Sequence, residues 1–154
     1  APSLAGASLE VRLAHVRKLL RTTPLVDGHN DLPWALREEK ETPRDVEAYN
    51  LRRPTRGMTD IARLRKGQVG GQFWSVYIPG EIRDSGYARV QLEQIDIARR
   101  VIARYPDVFQ PALTAADVRR AYARGRIGSL LGMEGGHSIG SSLAVLRQMY
   151  ALGA

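Results

Sequence analysis

Short apolar runs that each end on a polar residue, separated by stretches with helical spacing, organise this chain. The first run is Leu25-Val26-Asp27-Gly28-His29, followed by Asn30-Asp31-Leu32-Pro33, and it predicts a strand over 25–29 stopped by the proline. A second strand is predicted over 72–78, ended by Pro79-Gly80, and a third over 127–133, directly before Glu134. Helical spacing fills the gaps. Ser8 is placed to cap a helix whose Leu9, Leu13, Val16 and Leu20 share one face. Thr59 is placed to cap a short helix with Ile61 and Leu64, ended by Gly67. A long helix over 87–105 carries Leu92, Ile95, Val101 and Ile102 and stops before Pro106. Thr114 and Asp117 form a capping box for a helix through Tyr122, and Ser141 or Ser142 opens a last helix with Leu143, Leu146, Met149 and Tyr150. The proline- and arginine-rich segment 37–58 has little periodicity and reads as a surface loop.

Three strands, each followed by helical material, indicate parallel βα units joined by right-handed crossovers, an α/β fold. The polar residues stand where each strand meets its following loop. That is the edge at which parallel α/β folds carry their chemistry.

The chemistry offered there is that of a metal site. His29 and Asp31 are two residues apart, so an extended chain projects both to one side, roughly 6.5 Å apart. A neutral imidazole beside a carboxylate suits a divalent cation such as zinc. Glu134 ends another run about a hundred residues later and supplies a second carboxylate. Each piece alone also fits a structural reading, either a hydrogen-bonded strand-end histidine or a carboxylate capping the next helix.

Three blocks in order carry a resemblance over nearly the whole chain from Leu19 onward. They are Asp27 to Pro33 with Trp34, Gly70-Gly71-Gln72-Phe73-Trp74-Ser75-Val76-Tyr77, and Glu134-Gly135-Gly136-His137-Ser138-Ile139. The chain resembles the membrane (renal) dipeptidase family of zinc peptidases. The resemblance implies a TIM-like (β/α)₈ barrel of the metallo-dependent hydrolase type. It also implies two zinc ions, with His29 and Asp31 on the first and Glu134 bridging both, and hydrolysis of dipeptides by a metal-activated water. It places Tyr77 beside the bound ligand. His137 falls in the Gly-Gly-His-Ser loop, at no ligand position, where it would order the loop or hydrogen bond to Glu134. Trp34 and Trp74 are further aromatic candidates for a pocket wall, or core residues. The second metal's histidines and the groups for proton transfer fall beyond these positions, so no catalytic residue is assigned within this chain. The complete enzyme is expected to act on small dipeptides and to admit a homodimer. Mammalian relatives carry a cysteine after the Tyr-x-Pro of the second block, where this chain has Gly80.

Length sharpens the expectation. A barrel takes roughly 250 residues, against 154 here. Residues 1–154 are therefore expected to form a single incomplete domain, the N-terminal helix plus about the first three βα units. Ala1-Pro2-Ser3 lacks an initiator methionine, which fits an upstream leader or tag that has been removed. Location stays open between periplasmic or secreted and cytoplasmic, since no apolar run is long enough to span a membrane. The absence of cysteine excludes disulfides, thiolate zinc sites and a cysteine nucleophile. The net charge is +7, carried by twenty arginines against three lysines. That bias admits a basic nucleic-acid-binding module, but the arginines are spread beside acids and no such motif accompanies them. The glycines from 132 to 140 admit a phosphate loop, against which Glu134 would repel the anion. An inactive or structural homologue is the other alternative.

Overall fold

The strand-forming runs assemble into one parallel sheet of four strands. The computed structural model describes residues 4–82 and 86–154, so Ala1-Pro2-Ser3 lies outside the described residues. The strands are β1 (Leu25–Asn30), β2 (Val69–Ser75), β3 (Phe109–Pro111) and β4 (Ile127–Gly132), in the order β1-β2-β4-β3. The sequence pattern predicts three strands. The fourth, β3, is three residues long, too short to show a period, and it exists by pairing Phe109 with Ile127 and Pro111 with Ser129 on the far side of β4. β2 also starts and stops three residues earlier than the apolar run suggests. Val76 and Ile78 stay fully buried beyond its end, so hydrophobicity does not mark that end.

Among the described residues the α-helices are α1 (Leu9–Leu19) before β1, α2 (Leu32–Arg37) and α3 (Ile61–Lys66) between β1 and β2, α4 (Tyr87–Arg104) between β2 and β3, α5 (Ala115–Ala123) between β3 and β4, and α6 (Leu143–Ala151) after β4. α2 is absent from the sequence expectation, which takes Pro33 as a stop. Proline within the first turn forfeits no helical hydrogen bond, and here it is buried with Leu32 and Leu36. α4 leads from β2 outward past β4 to β3, and α5 leads back from β3 to β4. With the direction reversed, right-handed crossovers put these two helices on opposite faces of the sheet. Val118 of α5 accordingly lies so close to Gly71 and Gly128 that a Cβ there would meet it at 3.0 and 2.8 Å. On the other face, Ile95, Val101 and Ile102 of α4 join Trp74, Phe109 and Ile127 in the main core.

That core draws on residues that the pattern misplaces. Segment 38–58 is no simple surface loop: Val46 and Leu51 are buried, and the Leu51 N–H donates to the Tyr105 hydroxyl at 2.9 Å. Leu92 of α4 is 45% exposed, whereas Gln91 and Gln94 are fully buried. Their amides hydrogen bond, with Gln91 Nε2 donating to the Val76 carbonyl at 2.7 Å and Gln94 Oε1 accepting from Arg37 Nε at 2.7 Å. The proposed apolar face of α1 is likewise uncovered, with Leu9, Leu13 and Val16 at 72, 44 and 45% exposure. Among the described residues no helix is long and apolar enough to cross a membrane.

Helix capping follows local chemistry closely. Ser8, Ser142 and the Thr114–Asp117 box cap α1, α6 and α5 as the spacing predicts. α3 is capped by Asp60 rather than Thr59. Asp60 accepts the Arg63 N–H at 2.8 Å and Arg63 Nε at 2.7 Å, while Thr59 is drawn to Asn30. The Arg63 backbone N–H first, then its guanidinium, holds the Asp60 carboxyl below the usual carboxylate range against the opposing effect of burial. A carboxylate depressed on folding stabilises above its unfolded pKa and loses that contribution as pH falls through its folded value. Asp60→Ala should therefore cost about 1–2 kcal/mol at neutral pH. The difference from the parent should shrink on acidification below the carboxylate range, as urea unfolding at several pH values would reveal.

Candidate metal centre

The C-terminal ends of β1 and β4 bring His29, Asp31 and Glu134 together. His29 is the last residue but one of β1, and Asp31 follows Asn30 as the residue that opens α2. Asn30 sets the turn between them. Its Oδ1 accepts the Leu32 N–H at 3.1 Å, and its Nδ2 donates to Thr59 Oγ1 at 3.0 Å. This short-range turn, in which an Asn side chain accepts the N–H two residues on, is readable in sequence yet goes unremarked there. Glu134 stands two residues past β4, before Gly135.

His29 Nε2 lies 2.9 Å from Asp31 Oδ1 and 3.9 Å from Glu134 Oε2. In this contact the carboxylate oxygen is the acceptor and Nε2 the donor. The side chains of His29, Asp31 and Glu134 are 55, 59 and 54% exposed, which leaves their mutual attraction in water weak. Folding stability gives little reason for this convergence. One imidazole nitrogen and two carboxylates make a donor set that fits a hard or borderline divalent cation. Among the described residues they do not close into a metal-holding cluster of three or more. Further donors would have to face these three for a metal ion to be enclosed here.

The other site candidates have partners of their own. Tyr77 is half-buried two residues past β2, with its ring edge-on to Trp34 of α2, centroids 5.4 Å apart at 77°. Trp74, by contrast, is core: it is 1% exposed and packs edge-on against Phe109. His137 turns away from Glu134. Its Nε2 donates to the Ile78 carbonyl at 2.9 Å, and its ring stands edge-on to Tyr87 at 5.2 Å. The contact ties the loop after β4 to the loop after β2. His15 belongs to α1, ahead of β1 in the chain.

Gly135 is held at φ +85, and a Cβ there would meet His137 Cε1 at 2.5 Å and Nδ1 at 2.6 Å. Gly135→Ala should thus force the imidazole off the Ile78 carbonyl and disturb Glu134 beside it. A destabilisation of about 1–3 kcal/mol is expected. The His137 ring proton resonances should move as well. Unchanged His137 signals in that variant would contradict the described packing.

Comparison with known proteins places this arrangement in a family. Residues 13–154 match the family model described as membrane dipeptidase, peptidase family M19. Dipeptidase 3 of Rattus norvegicus is 48% identical over 136 residues, which are 88% of this chain and 26% of that protein. Dipeptidase 3 of Mus musculus is 48% identical over 135 residues. The chain thus spans about a quarter of the length of these relatives. Among solved structures, the dipeptidase AC, a metallo peptidase of family M19, superposes with a TM-score of 0.74 at 28% identity, over 86% of this chain and 41% of that one. A metallo peptidase from Rhodobacter sphaeroides, liganded with a phosphinate mimic of the dipeptide L-Ala-D-Ala, gives 0.74 at 26% identity, over 86% and 44%. These neighbours are TIM-barrel metallo-dependent hydrolases, and the α/β fold described above matches less than half of each. The chain belongs to the membrane dipeptidase family, peptidase family M19.

Proposed function

We propose that this chain furnishes one wall of the active site of a zinc-dependent dipeptidase. Residues 1–154 would be a single incomplete domain, the N-terminal helix and about the first three βα units of a barrel. The observation that carries the reading is His29 Nε2 facing Asp31 at 2.9 Å and Glu134 at 3.9 Å on the C-terminal edge of a parallel sheet. His29 and Asp31 would hold one zinc ion, and Glu134 would bridge it to a second. When bound, such ions polarise a peptide carbonyl and lower the pKa of water toward neutrality.

The chain's own side chains have definable tasks around that chemistry. The two carboxylates would balance cationic charge, and His29 Nε2 would be a ligand in the neutral tautomer that carries its hydrogen on Nδ1. Tyr77, braced by Trp34, forms an aromatic wall against which a dipeptide lies. His137 holds the loop that follows Glu134 through Ile78. No group of this chain is assigned to proton transfer. The Rhodobacter sphaeroides neighbour, whose ligand mimics L-Ala-D-Ala, supports dipeptides as the substrate class.

The test is hydrolysis of L-Ala-L-Ala and L-Ala-D-Ala by the intact protein, with metal measured per subunit. Chelation should abolish amino-acid release, and added zinc should restore it. Full activity after all metal has been removed would overturn the proposal, as would a folded protein with two zinc ions bound that cleaves no dipeptide.

A further inference from the structure

β1 contains an irregularity that alternation cannot reveal. Asp27 pairs with Gln72 of β2, but Asn30, not His29, pairs with Trp74. Three steps along β1 therefore match two along β2, so one extra residue is accommodated between Asp27 and Asn30. An extra residue exchanges the faces of everything after it. Asp27 and Asn30 share the face of Gln72 and Trp74, and His29 is delivered to the other one with Asp31. The irregularity is what aims the imidazole.

Two side chains hold it. Asp27 Oδ1 accepts the His29 backbone N–H at 3.2 Å, and Asp27 Oδ2 accepts Gln72 Nε2 at 3.0 Å. Gln72 is fully buried, and its Nε2 also reaches the Phe73 carbonyl at 3.1 Å. Its Oε1, also buried, has no hydrogen-bond partner among the described residues. A buried amide with an idle oxygen is a poor choice for stability alone, and an apolar residue would suit the position better. Its amide nitrogen is what this site uses.

We infer that Asp27 and Gln72 are positioning residues, a carboxylate–amide clamp that fixes the irregularity in β1 and so aims His29 at Asp31 and Glu134. The inference rests on the reading of His29 as a metal ligand. Ligand orientation by groups behind the ligands commonly contributes 10–100-fold to metal affinity.

The test uses the intact protein, with Zn²⁺ affinity from chelator competition and the visible spectrum of the Co²⁺-substituted form as readouts. Gln72→Glu sets a second carboxylate against Asp27 and should weaken Zn²⁺ binding about tenfold or more, with a changed Co²⁺ spectrum. Asp27→Asn combined with Gln72→Glu restores one charge and one amide in exchanged places, and should recover affinity to within about threefold of the parent. Asp27→Ala removes the acceptor of both the His29 N–H and Gln72 Nε2, and should weaken Zn²⁺ binding about tenfold on its own. This variant keeps the test open if Gln72→Glu fails to fold. Parental Zn²⁺ affinity in Gln72→Glu overturns the inference. So does a double variant no better than Gln72→Glu, or an Asp27→Ala protein with parental affinity. His29→Ala separates the two levels: lost Zn²⁺ binding there upholds the metal reading whatever the clamp variants do, whereas parental binding overturns both.

Discussion

Under the proposed bridging role, Glu134→Gln in the intact protein is expected to abolish dipeptide hydrolysis while leaving the fold in place. The substitution keeps the side chain's size and removes its negative charge. Because Glu134 is more than half exposed and 3.9 Å from His29, the lost interaction should cost the fold less than about 1 kcal/mol. The effect on function should be of a different order. A carboxylate proposed to bridge two cations balances charge that a neutral amide cannot, so the amide variant should bind metal poorly. Losing metal-dependent polarisation removes several kcal/mol of barrier lowering, a fall in kcat/KM on the order of a thousandfold or more. Steady-state kinetics, metal content per subunit and the melting temperature should be read together. Near-parental turnover with both metals retained would refute the bridging role, and a collapse in melting temperature would show that Glu134 is structural instead.

The features legible in the sequence are those decided within a few residues. The Thr114–Asp117 box and the Ser8 and Ser142 caps are met as predicted because donor and acceptor lie within one helical turn. His29 and Asp31 sit side by side because they straddle a single turn residue, Asn30. That Glu134 joins them is legible because parallel strands bring their C-terminal ends to one edge, whereas its bridging role is what the family resemblance implies. What escapes the sequence depends on partners distant in the chain. β3 is a strand only because β4 lies beside it. Leu51 is held in the core by the bond from its N–H to the Tyr105 hydroxyl and Val46 by the Arg104 guanidinium at its carbonyl, and Gln91 is buried where its amide meets the Val76 carbonyl. The extra residue in β1 belongs with these, as its evidence is the register against β2.

The largest loss of stability is expected at Trp74, where the sheet that carries the site meets the α4 layer. Trp74 is 1% exposed, lies in register with Asn30 and Leu131, and packs edge-on against Phe109 with centroids 5.4 Å apart. Trp74→Ala removes an entire indole from a core that includes Ile95, Val101 and Ile102, and neighbours tied to backbone in strands and helices can close only part of the space. The expected cost is about 3–5 kcal/mol, seen as a lower urea midpoint at unchanged m. Trp74→Phe should cost clearly less, since it keeps a ring against Phe109. The indole nitrogen has no hydrogen-bond partner among the described residues, so no polar interaction is lost with it. A similar cost for both variants would mean that a polar contact of the indole, rather than the filled volume, secures this position. Because Asn30 shares the register of Trp74, the alanine variant should also loosen the strand end beneath His29. Its Zn²⁺ affinity should fall together with its stability, whereas the phenylalanine variant should keep both.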